Sequence, residues 1–137
     1  MPHHVVASLA EAMDRALGRG LSRSRVLILG AAYKKNIDDT RESPALKLIG
    51  LIEGRGAAVD YHDPHVPMLP AAERHGISAM RSVPLDPERI SGYDAVLIVT
   101  DHDAVDYAAV VRHAKLVVDT RNICHKRGLV GDSIVKA

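Results

Sequence analysis

The chain contains no tryptophan and no phenylalanine, and four tyrosines make up its whole aromatic content of 3%. A core built this way must be aliphatic. It also leaves nothing to interleave with basic residues as a stacking platform for single-stranded nucleic acid. One cysteine, Cys124, excludes an intrachain disulfide framework. No apolar run approaches the roughly eighteen residues of a membrane-spanning helix. Charge is nearly balanced, 18 Lys and Arg against 17 Asp and Glu for a formal net charge of +1, so no field draws in nucleic acid or a membrane surface. The N-terminus MPHHVVASLAEAMDRA carries acidic residues early and no compact apolar stretch, unlike a signal peptide, and the expected location is cytoplasmic. Several chemical signatures are also missing: G-x-G-x-x-G, the P-loop, His-Glu-x-x-His and Cys-x-x-Cys.

What is present fits a globular domain: 137 residues, 47% hydrophobic and 26% charged, enough to bury a substantial core. The organising stretch is VLILGAAYKKNIDDTRESP, from Val26 to Pro44. Four apolar β-formers bounded by Gly30 predict a strand buried on both faces, as in parallel sheets. Ser43 followed by Pro44 is an N-cap with proline at the first helical position. The segment therefore reads as strand, long charged loop, helix, and a loop so long and charged at a strand's carboxyl end is the candidate site.

Around it the pattern predicts a helix over residues 4–18, a helix from Pro44 to about Gly54, and strands over Ala57–Tyr61, Asp94–Val99 and Lys115–Asp119. Asp103 is read as the N-cap of a helix from Ala104 to His113. Residues 66–90 give weaker signals: a short helix over Leu69–His75, a strand over Ile77–Met80 and one helical turn at Pro87–Ile90. The fold class is α/β: three layers, a mostly parallel sheet with helices on both faces, an incomplete Rossmann-like domain preceded by an N-terminal helix. The polar segments Lys34–Arg41, Thr100–Asp103 and Asp119–Asn122 then collect at one sheet edge, which marks a binding crevice.

Chemistry at that edge can be narrowed by elimination. A lone Gly30 without a tight turn into a helix does not cradle a pyrophosphate in the usual way. A receiver-type phosphorylation site needs carboxylates directly after the first strand, where Gly30-Ala31-Ala32 stands instead. His62, Asp63, His65, His102 and Asp103 lack metal-ligand spacing, and the histidines read as exposed turn residues. Cys124, with only His125 and Lys126 beside it, reads as a buried thiol and not a nucleophile. The charged loop remains: Lys34, Lys35 and Arg41 suit phosphate or carboxylate, Tyr33 suits a sugar or base, and Asp38 and Asp39 can hold the loop.

The strings LGAAYKKNIDDTRESPAL, GRGAAVDYHDPHVP and VVDTRN resemble the C-terminal, UDP-binding domain of the UDP-glucose/GDP-mannose dehydrogenase family. They are most similar to the UDP-N-acetylglucosamine (or UDP-N-acetylmannosamine) 6-dehydrogenase branch. The resemblance covers the chain from Arg25 onward; residues 1–20 look like the end of the central interdomain and dimerisation helix, and 21–137 like the nucleotide-sugar-binding domain. It implies an oxidoreductase that converts the C6 alcohol of a UDP-sugar to a carboxylate with NAD. It further implies a homodimer, a role in polysaccharide biosynthesis, and neither nucleic-acid nor membrane partners. By the motif, Tyr33, Lys34 and Arg121 would bind substrate, and Arg41 would reach the cofactor. The family's G-x-G-x-x-G and catalytic cysteine have no counterpart here, since Cys124 does not match, so the chain alone is expected to be inactive. Competing readings are a free-standing nucleotide-binding regulatory module, a UDP-glucose 6-dehydrogenase domain, or an interaction domain that associates through the 4–18 helix.

Overall fold

The computed structural model describes residues 2–137. Strand β1 (Arg25–Leu29) lies inside a five-stranded sheet with β2 (Ala58–His62), β5 (Ala95–Ile98), β6 (Val117–Asp119) and β7 (Ile134–Lys136). The order is β2-β1-β5-β6-β7 and every pairing is parallel. A two-stranded antiparallel ribbon, β3 (Met68–Leu69) with β4 (Met80–Arg81), sits apart from it.

The continuous apolar runs follow from this topology, because the central strands are covered on both faces. Val26 and Ile28 enter one core cluster together with Ala95, Leu97 and Val118. Leu27 and Leu29 enter the other with Val96, Ile98 and Val117. The first cluster is closed by helices α1 (Pro2–Leu17) and α2 (Pro44–Gly54), which pack on each other. The second is closed by α3 (Pro87–Ser91), α4 (Tyr107–His113) and α5 (Ile123–Lys126). Leu9 and Met13 of α1 are fully buried, and anchors of that kind contribute about 1.5–3 kcal/mol each. The N-terminal helix is thus part of this core.

The start of α2 is as its sequence dictates: Ser43 accepts a hydrogen bond from the Ala45 N–H at 3.2 Å, with Pro44 behind it. The start of α4 differs from the sequence expectation. Asp103 is not its N-cap, because its carboxylate is taken by the Asn36 side chain at 2.8 Å. Asp106 caps instead, accepting from the Ala109 N–H at 3.1 Å, and the helix begins at Tyr107. The expected helix over Leu69–His75 is also corrected. Leu69 pairs with Met80 in the ribbon, and only Glu73–His75 turn as a 3-10 helix. The strand expected over Ile77–Met80 moves to Met80–Arg81 for the same reason.

From β1 the chain crosses through α2 to β2 on one side, then returns past β1 to place β5 on the other. The order in which strands are added therefore reverses between β1 and β5. In such sheets this is where a crevice opens at the carboxyl ends of the strands.

Candidate functional site: the carboxyl edge of β1, β5 and β6

Gly30 leaves β1 with φ +93°, and its N–H donates to the His62 carbonyl at 2.9 Å. The β1 exit and Thr100 approach so closely that a Cβ on Gly30 would lie 2.5 Å from the Thr100 carbonyl oxygen. A turn packed this tightly tolerates only glycine at this position. The loop that follows runs along the edge of the sheet and does not turn directly into a helix.

The loop is held from below by a buried pair. Asp63, 2% exposed, and His102, fully buried, meet with His102 Nε2 2.8 Å from Asp63 Oδ2. The same Oδ2 accepts the Ala31 N–H at 2.7 Å and the Ala32 N–H at 3.0 Å, and Oδ1 accepts the His65 N–H at 2.8 Å. His102 Nδ1 accepts the Asn36 N–H at 2.7 Å, so the ring proton lies on Nε2, directed at the carboxylate. Burial opposes the charge on Asp63. The N–H groups of Ala31 and His65 and the His102 ring outweigh it, and its pKa falls below the ordinary 3.8. The expectation of exposed turn histidines is therefore wrong for His102, while His62 and His65 are half-buried. This ring is an internal tie between the ends of two strands.

Above the pair, Tyr33 is 54% exposed, and Lys34 is exposed beside it. Tyr33 and Arg41 share a shallow depression of about 380 Å³ with Asp39 and Glu42. Arg41 grips Asp39 as a fork, Nε to Oδ1 at 3.1 Å and Nη2 to Oδ2 at 3.0 Å, and this bond lowers the Asp39 pKa. The sequence reading of Asp39 as a loop-holding carboxylate holds. Lys35 lies 4.0 Å from Asp103. Lys34, by contrast, makes no ion pair among the described residues, so its charge is available to a ligand.

Arg121 stands apart from this depression. It lines a second one of about 290 Å³ with Val5, Pro44, Leu48, Val99 and Thr120. Its Nε is 3.4 Å from Asp101 Oδ1, near enough for charge attraction but without a formed hydrogen bond. Asp119 secures this turn by accepting the Arg121 N–H and the Cys124 N–H, each at 2.9 Å. The structure thus brings Tyr33 and Arg41 together, places Lys34 on the same loop, and sets Arg121 further along the same edge. Asp63, His102, Asn36 and Asp101 were missed as site residues. The sequence signal for Asp63, Asp101 and His102 is only that each follows a predicted strand within three residues, and Asn36 lies inside the charged loop itself.

Cys124 is buried, and burial first, then the charge of Asp119, pushes its thiol up to about 12. The thiolate needed for nucleophilic chemistry is therefore scarce at neutral pH. The native chain is expected to resist maleimide at pH ~7 and to label rapidly once denatured; labelling of the native chain as fast as a free thiol would refute this.

The fold and edge define a doubly wound α/β domain of the kind that takes ligands at its switch point. Residues 27–126 match the model of the UDP-glucose/GDP-mannose dehydrogenase family, UDP binding domain, and the chain belongs to that family. It is 32% identical over 131 residues to a UDP-N-acetyl-D-mannosamine dehydrogenase of Methanococcus maripaludis, covering 90% of this chain and 28% of that protein. It is also 32% identical over 117 residues to a UDP-glucose 6-dehydrogenase of Rhizobium meliloti, covering 81% of this chain and 26% of that one. Among solved structures, a UDP-D-ManNAc dehydrogenase of Pyrococcus horikoshii superposes with a TM-score of 0.75 at 29% identity, covering 98% of this chain and 30% of that one. The chain thus spans under a third of the length of these relatives.

Proposed function

We propose that this chain is the part of an NAD-dependent UDP-sugar 6-dehydrogenase that holds the nucleotide end of the substrate. The observation that carries it is the β1–β5 switch-point loop, which presents Tyr33 and an unpaired Lys34 over a tightly fixed base. A diphosphate needs a cation whose charge is not already neutralised, and Lys34 meets that need. Tyr33 offers a flat face and a hydroxyl to the sugar or base. Arg121 supplies a second guanidinium along the edge. Arg41, closed on Asp39 here, would reach a cofactor held by other polypeptide after exchanging that partner.

NAD would accept the hydride from the C6 carbon, but this chain does not supply its site. The sequence has no G-x-G-x-x-G between β1 and a helix to cradle the pyrophosphate. The polypeptide alone is therefore catalytically silent, and in the whole enzyme α1 (Pro2–Leu17) would belong to a helix at a homodimer interface. Among UDP-sugars we favour the N-acetylated hexosamines, on the YKKN and YHDPHVP strings and on the names of the relatives. The cytoplasm suits such substrates. No helix among the described residues is long and apolar enough to cross a membrane.

Titrating UDP into the chain and into Lys34→Ala tests this reading. Losing a hydrogen bond to a charged group removes about 1.5–3 kcal/mol, so affinity is expected to fall roughly ten- to a hundredfold with the fold intact. Equal affinities would make Lys34 an ordinary solvated lysine and overturn the reading. Neither sample should generate NADH when given UDP-N-acetylmannosamine and NAD⁺.

A further inference from the structure

The nucleotide reading leaves unexplained why an acid and an imidazole are buried together beneath the loop. Neither touches solvent to any useful extent: His102 is fully buried and Asp63 is 2% exposed. A direct ligand contact is therefore closed to His102. What the two residues touch is the backbone of the loop, on both sides of the exposed pair. Asp63 takes the N–H groups of Ala31 and Ala32, and His102 takes that of Asn36. Thr100 adds a bond from its hydroxyl to the Ala32 carbonyl at 2.8 Å. The far anchor is doubled by Asn36, whose amide donates to Asp103 at 2.8 Å and accepts the Asp103 N–H at 3.0 Å. Between these anchors Tyr33 is held only within the loop, its N–H donating to the Asp39 carbonyl at 2.6 Å, while Lys34 and Lys35 make no hydrogen bond to Asp63 or His102. Asn36 itself sits at φ +64°, in the left-handed region that asparagine adopts more readily than other non-glycine residues.

Resting on the nucleotide reading, we infer that Asp63 and His102 are positioning residues: a clasp across the switch point that presets the arch carrying Tyr33 and Lys34 for its ligand. The imidazole is suited to this because it donates at one nitrogen and accepts at the other. It thereby joins the end of β2, through Asp63, to a loop leaving β1, from a seat at the end of β5. Presetting an arch lowers the conformational cost that binding must otherwise meet. The clasp therefore sets affinity without a contact of its own.

His102→Leu fills the cavity but neither donates to Asp63 nor accepts from Asn36, whereas His102→Gln keeps one donor and one acceptor. Each is compared with the parent and with Lys34→Ala by UDP titration of folded protein and by amide hydrogen exchange over Tyr33–Asn36. The expected result for His102→Leu is a Kd raised about tenfold with accelerated exchange confined to that stretch, and for His102→Gln recovery to within about threefold. A merely structural role would lower the melting temperature and leave the Kd of folded molecules unmoved. If Lys34→Ala weakens binding and His102→Leu does not, the clasp is overturned and the nucleotide reading stands. If neither variant weakens it, both are overturned. Should His102→Leu not fold, Asp103→Ala weakens the same Asn36 anchor from the surface by removing the bond its side-chain amide donates. Its expected rise in Kd is about threefold, and an unchanged value overturns the clasp.

Discussion

Replacing Asp63 by alanine is expected to destabilise the chain by about 3–5 kcal/mol, because it leaves several buried donors without the acceptor they share. The geometry accounts for the size. One carboxylate oxygen collects the Ala31 and Ala32 N–H groups and His102 Nε2, and the other collects His65 N–H. Alanine leaves these donors without an acceptor in a site that water reaches poorly, and each such orphan costs about 1–3 kcal/mol. The melting temperature should fall by roughly 10–20 °C for a domain of this size. Asp63→Asn, with one oxygen retained, should recover part of the loss. A drop below about 1 kcal/mol in denaturant titration would mean the network is not coupled to folding.

The same residue carries a pH signature whose sign is fixed. The folded-state pKa of Asp63 lies below 3.8, so its stabilisation is present above the unfolded-state value and is lost as pH falls through the folded one. The parent should therefore lose stability on acidification below about pH 4, and Asp63→Ala should show a flatter acid limb there. Parallel limbs would remove Asp63 from the account of acid sensitivity.

Gly30→Ala is expected to cost at least about 3 kcal/mol, combining left-handed backbone strain with overpacking. The new methyl would lie 2.5 Å from both the Thr100 carbonyl oxygen and Thr100 Cβ, and 2.7 Å from the Thr100 nitrogen. Most of those atoms are backbone of a central strand's exit, so no side-chain rotation relieves the overlap. The displacement would also pull on the Gly30–His62 and Thr100–Ala32 bonds that frame the loop. Gly54→Ala is the control, since a Cβ there meets nothing within 4 Å. At the end of α2 it should be neutral or stabilising by up to about 1 kcal/mol. Equal effects at the two positions in thermal unfolding would discard the packing argument.

Much of this architecture was legible because the central strands carry their burial in the sequence. Val26–Leu29, Ala95–Ile98 and Leu116–Val118 are apolar on both faces, and Ser43-Pro44 announces α2 without help from the rest of the chain. Strand β7 escaped because Ile134–Lys136 is short and only partly buried, so no run of apolar residues marks it. Asp103 reads as the cap of α4 because nothing local shows that the Asn36 side chain takes its carboxylate, while Asp106 does the capping. The site divides in the same way. The loop from Tyr33 to Arg41 is dense enough in charge to be noticed directly. Asp63 and His102 are thirty-nine residues apart, and nothing local records that their strands flank β1 on opposite sides. The histidine then read as a turn residue because its neighbours Asp101 and Asp103 are polar, although the polarity around it belongs to a buried network.

The position of β1 between β2 and β5 also bears on biosynthesis. Its second neighbour begins pairing only at Ala95, so a ribosome must release the chain through Ile98 before Val26–Leu29 is covered along both edges. Until then the nascent polypeptide displays an apolar ribbon with one row of unmatched amides, an invitation to chaperones and to neighbouring chains on the same message.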